Sequence, residues 1–180
     1  YPITKELMDK AFQSSRDAYE VMIYAETGHW PLSKQDDIDR NYIRNHPETM
    51  LPNIEDQREL FDVEEFKALV KKAIVSELEP SELDAIGIVD NHLELLLVDP
   101  VGWQEEIEAV HLEILQEKIN NYIHFLESKQ YVERYGDKFD KKVIHITFQY
   151  SPSDNGLAFL ATVQKVLQPT VMSLKVELPE

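Results

Sequence analysis

Residues 83–99 read LDAIGIVDNHLELLLVD, and the rest of the chain is organised around them. Two apolar runs of strand length, 83–89 and 93–99, flank Asp90, Asn91 and His92. Asp and Asn tolerate left-handed backbone angles, so this short loop predicts a β-hairpin. Pro100 and Gly102 stop the second strand, since proline lacks a ladder donor and glycine loosens the chain. From Gln104 the hydrophobic period changes from that of a strand to that of a helix. Ile107, Val110, Ile114, Leu115, Ile119, Tyr122, Ile123 and Leu126 cover a broad arc, which predicts a long and largely buried helix.

Downstream, residues 143–150 alternate, with Ile144, Ile146, Phe148 and Tyr150 on one side and Val143, His145, Thr147 and Gln149 on the other. That pattern is a strand with one apolar face. Ser153 or Asp154 can cap a helix carrying Leu157, Leu160, Val163 and Leu167, and residues 170–178 alternate again. Upstream, apolar residues from Leu7 to Ile23 keep helical spacing after a Thr4 cap, which predicts one helix with one buried face, closed by Gly28. Ser33 with Asp36, and Asp62 with Glu65, are capping pairs that open two further helices, separated by an irregular stretch over 46–61. The expected fold class is α+β: N-terminal helices, then a four-stranded, mainly antiparallel sheet with helices packed on one face. The composition break at Glu79-Pro80-Ser81 divides a helical region, 1–80, from a sheet domain, 81–180, or sits inside one continuous domain.

At 43% hydrophobic and 29% charged, the chain is globular rather than disordered. No apolar run reaches the roughly 20 residues a bilayer span needs, so no membrane partner is expected. With no cysteine there is no disulfide, thiolate metal site or thiol nucleophile, which fits a cytoplasmic protein. Charge is the strongest global feature. Thirty-four Asp and Glu face 18 Lys and Arg, a net of −16. Residues 1–80 carry 17 acids and 10 bases, and 81–180 carry 17 and 8, so the excess is not a tail. Such a field repels nucleic-acid phosphate and speeds encounter with basic partners.

Catalytic motifs are weak. Glu108 and His111 stand three apart on the long helix, a spacing that can share a metal, but di-iron bundles need a second copy that the sequence lacks. A buried, hydrogen-bonded His111 is the better reading. His145 stands on a strand beside Thr147, where a lone histidine is usually structural. There is no GxSxG elbow and no phosphate-cradling glycine loop, so the expectation is a non-enzyme without cofactor, metal or small-molecule substrate. The acids flanking the irregular stretch carry more. Asp36, Asp37 and Asp39, then Glu55, Asp56 and Glu59, surround apolar Tyr42, Met50 and Leu51. An acidic rim around apolar anchors is how a surface recognises a basic protein patch.

The DAIG run at residues 84–87, the strand at 93–99, Trp103 and the helix segment LQEKINNYIHFLES at 115–128 resemble a family of uncharacterised bacterial proteins known only as a domain of unknown function. Domains of that kind resemble immunity proteins of bacterial polymorphic toxins, including those of contact-dependent growth inhibition. The resemblance brings no catalytic residue. It implies a small acidic cytoplasmic protein that neutralises a basic toxin domain, a nuclease by the charge argument, by covering its active site. Asp36, Asp37, Asp39, Glu55, Asp56 and Glu59 are the expected toxin-binding residues. The alternatives are an adaptor that binds a housekeeping protein, and a small enzyme using His111 or His145.

Overall fold

The computed structural model describes residues 3–31 and 33–180. The chain resolves into two compact units, 1–42 and 43–180, and the Glu79-Pro80 break lies inside the second.

The first unit is built on α1 (Lys5–Ala11), α2 (Ser15–Thr27) and most of α3 (Lys34–Asn45). The single helix expected from residue 4 onward is therefore two. Ser14 breaks it, because its extended backbone and its hydroxyl, accepting from Asp17 N–H, start a new helix there. The expected buried face is also absent. α1 buries no residue and α2 buries only Val21, while Met8, Phe12, Tyr19 and Met22 are exposed. Gly28 ends α2 in the left-handed conformation, as expected.

The second unit opens with a 3-10 turn (Pro47–Asn53), the one-turn α4 (Ile54–Gln57) and another 3-10 turn (Arg58–Leu60). Asp62 then caps α5 (Val63–Leu78) by accepting from Glu65 N–H. β1 (Ala85–Val89) and β2 (His92–Asp99) form the hairpin, with Asp90 and Asn91 both at positive φ as a two-residue primed turn requires. α6 (Glu105–Glu127) and the short α7 (Val132–Tyr135) follow, then β3 (Lys142–Phe148), α8 (Asp154–Leu167) and β4 (Met172–Glu177).

Strand order is β1-β2-β3-β4. Only β1 and β2 pair antiparallel; β2–β3 and β3–β4 are parallel. The sheet is mixed, which corrects the mainly antiparallel expectation. Alternation records which face a side chain takes and says nothing of strand direction. Direction is set by α6 and α8, each of which carries the chain back along the sheet before the next strand begins.

Register divides the sheet into two faces. Leu93, Leu95, Leu97, Ile144, Ile146, Phe148, Met172 and Leu174 share one, and all are buried in the core with α5, α6 and α8 residues. The other carries Glu94, Leu96, Val98, Val143, His145, Thr147, Ser173, Lys175 and Glu177. One polar lock fixes α6 against the hairpin. The buried Lys118 ammonium donates to the Asp84 carboxylate and to the Leu78 carbonyl. Tyr122 accepts from Asp84 N–H and donates to the Leu96 carbonyl, and burial pushes its phenol pKa up. The second Asp84 oxygen accepts from Val98 N–H.

Candidate functional site: an acidic cleft at the carboxyl end of the sheet

The loop that leaves β2 starts from a buried pair. Asp99 and His111 are both fully buried, and the carboxylate lies 2.8 Å from Nε2. The other Asp99 oxygen accepts from Val101 N–H, and His111 Nδ1 donates to the Gly102 carbonyl at 3.1 Å. One side-chain pair thus holds the backbone of two consecutive loop residues, Val101 and Gly102. Trp103 lies over the imidazole with ring centroids 4.1 Å apart. Gly156 permits this, since a Cβ there would meet the indole at 2.7 Å, so the first turn of α8 closes directly on the ring. His111 is the buried, hydrogen-bonded histidine that its place on the helix arc predicts.

Two adjoining clefts open above this loop. One, about 240 Å³, is lined by Glu48, Leu51, Pro52, Glu77, Pro100, Gly102, Gln104 and Tyr150. The other, about 180 Å³, shares Pro52 and Gln104 and adds Glu55 and Asp56. Four carboxylates line the pair and, among the described residues, no lysine or arginine does. Pro100 follows β2 and Tyr150 follows β3, so the clefts lie at the carboxyl ends of two parallel strands, where open sheets commonly place ligand sites. Gln104 is shared by both. Its Oε1 is buried and has no hydrogen-bond partner among the described residues. Its amide folds back over Gly102, where a Cβ would sit 2.4 Å from Oε1. The four carboxylates make the pair of clefts the electrostatic complement of a cationic donor.

A third groove, about 430 Å³, is lined by Phe61, Val63 and Phe66 with Glu105 and Glu106, but Arg58 and Lys67 balance its charge.

Of the six acids expected to bind a partner, Glu55 and Asp56 line the clefts and Glu59 stands exposed one turn on. Asp36, Asp37 and Asp39 belong to the first unit, on α3. Asp36 is engaged in its helix cap: Ser33 and Asp36 exchange hydrogen bonds, and those from the Ser33 hydroxyl and N–H hold its carboxyl below the usual range. Asp39 accepts from Gln35. Met50 is fully buried, so it is core rather than an anchor; Leu51 does line a cleft. Sequence reading missed Glu48, Glu77, Gln104 and Tyr150. They come from four separate segments, and only the mixed sheet brings their ends together.

His145 is not a lone strand histidine. Its Nδ1 lies 2.7 Å from Glu94 Oε1 and its Nε2 lies 3.0 Å from Glu177 Oε2, while His92 Nε2 reaches the other Glu94 oxygen at 3.0 Å. Burial pushes Glu94 up, but its contacts with His92 and His145 outweigh that and hold its carboxyl below the usual range. No group of His, Asp or Glu among the described residues has the geometry to hold a metal.

The residues that close the Asp84–Lys118–Tyr122 lock fall within a region, residues 75–180, matched by the model of a family of unknown function, DUF6572. The chain belongs to that family. The match spans β1 to β4 and includes Glu77, Gln104 and Tyr150 of the clefts, whereas Glu48, Glu55 and Asp56 precede it. No curated protein and no solved structure matches the chain. No described helix is long and apolar enough to cross a membrane.

Proposed function

We propose that this DUF6572 chain is a non-enzymatic binding protein whose partner is a basic protein surface. One observation carries the reading: four carboxylates converge on adjoining clefts that no lysine or arginine lines among the described residues. The surrounding unit adds a long-range field. Residues 43–180 hold 26 Asp and Glu against 13 Lys and Arg, a net of −13. That field accelerates encounter, and the clefts set how long a bound cationic side chain stays. The family carries no function that bears on the choice of partner. Charge, and the resemblance to immunity proteins drawn from the sequence, favour a cytoplasmic immunity protein that occludes the phosphate-binding groove of a toxin nuclease.

Co-purification from the native host, with the tagged full chain as bait and mass spectrometry as readout, tests this. Recovery of one basic toxin domain in equal amount, lost when Glu55, Asp56 and Glu77 are changed to Lys, is the expected result. A housekeeping protein recovered instead would keep the binding function and overturn the toxin. Recovery unaffected by the charge changes would overturn the cleft.

A further inference from the structure

The open face of the sheet carries a second cluster that the binding reading does not use. Its charged and titratable members are His92 and Glu94 on β2, His145 on β3, and Lys175 and Glu177 on β4. Lys175 is the register partner of His145, and β1 contributes only Ala85, Gly87 and Val89 to this face. His145 is buried, yet its side chain bridges two strands: Glu94 at 2.7 Å on one side and Glu177 at 3.0 Å on the other.

Ionised carboxylates accept hydrogen bonds and cannot donate. A neutral imidazole has one donor and one acceptor nitrogen, so it can satisfy one of these two contacts. The second then sets a nitrogen lone pair against a carboxylate oxygen. Only the imidazolium makes both bonds at once. The two contacts are also unequal. Glu94 is half-buried and already braced by His92, whereas the Glu177 side chain is 62% exposed and sits at the end of the edge strand. When one proton leaves, the remaining one stays with the half-buried Glu94, and the Glu177 contact is lost.

We infer that His145 is a proton-operated clamp across the open sheet face. Carrying both ring protons it ties β2, β3 and β4 together; losing one it releases Glu177 and loosens the carboxyl half of β4.

The test is an NMR titration of the His145 ring nitrogens in the full chain, with amide exchange of β4 read at the same pH values and corrected for intrinsic rates. The expected result is two protonated ring nitrogens at the acid end. Protection of those amides in the carboxyl half of β4 that donate to β3 then falls by about tenfold as one proton leaves, the scale of one lost charge-assisted hydrogen bond. Glu177→Gln, at an exposed position that leaves the core intact, should abolish the pH dependence of that protection while the ring still titrates. A single neutral tautomer throughout, or β4 protection that ignores pH in the native chain, would overturn the clamp.

Discussion

The two ends of the sheet carry opposite character. At the carboxyl end, the segments after β2 and β3 meet the 48–56 stretch and the end of α5, and the clefts there are lined by Glu48, Glu55, Asp56 and Glu77. At the amino end, the segments before β3 and β4 meet α8 in a larger groove of about 730 Å³, lined by Lys141 and Lys165 with a single acid, Asp140. Volume alone would favour the amino end as a site. Chemistry favours the carboxyl end: its loop is fixed from below by a buried hydrogen-bonded pair, and the charge lining its clefts is of one sign among the described residues. A site needs preorganised groups more than it needs room.

The largest effect should come from the pair that fixes the loop. Asp99→Ala or His111→Ala leaves one member of a fully buried pair unpaired and frees the Val101 and Gly102 backbone, which should cost about 3–5 kcal/mol in urea unfolding. A loss under about 1 kcal/mol would mean that the loop holds without its staple, and the distinction between the ends would weaken.

Next comes charge. Changing Glu55, Asp56 and Glu77 to Lys should slow association with the captured partner by about 10–100-fold at low salt and flatten its salt dependence. The matching reversal at the amino end, Lys141 and Lys165 to Glu, should change the rate by less than about twofold at physiological ionic strength, where exposed charges more than about 8 Å away are largely screened. Equal effects at both ends would remove the comparison.

A smaller effect is expected midway between them. The depressed Glu94 carboxyl contributes stability that is present above the ordinary carboxylate range and lost as pH falls through its lower folded value. Glu94→Gln should therefore cost about 1–2 kcal/mol near neutral pH and flatten the acid limb of the stability profile. The smallest effect on stability is expected from Gly102→Ala. A Cβ there meets only the far end of the Gln104 side chain, so the amide moves aside at under about 1 kcal/mol while partner dissociation quickens.

Much of the fold was legible because local chemistry decides it. Asp90-Asn91 fixed the hairpin, and Asp62, Ser33 and Ser153 acted as caps where their spacing placed them. The break at Ser14 was hidden because apolar spacing runs through it, and one hydroxyl outweighed the periodicity. Parallel pairing was hidden because a strand's alternation is the same in either direction. The site was half legible. Glu55 and Asp56 stood out as neighbouring acids, but Glu48, Glu77, Gln104 and Tyr150 meet only through strand order, and Asp36 was an acid already engaged in a cap.

The most direct measurement of the central claim is the association rate of the captured partner with three full-length chains: unchanged, reversed at the carboxyl end, and reversed at the amino end. The account predicts a slow rate and a shallow salt slope for the carboxyl-end variant alone. Equal rates for all three chains, with folding intact by circular dichroism, would contradict it.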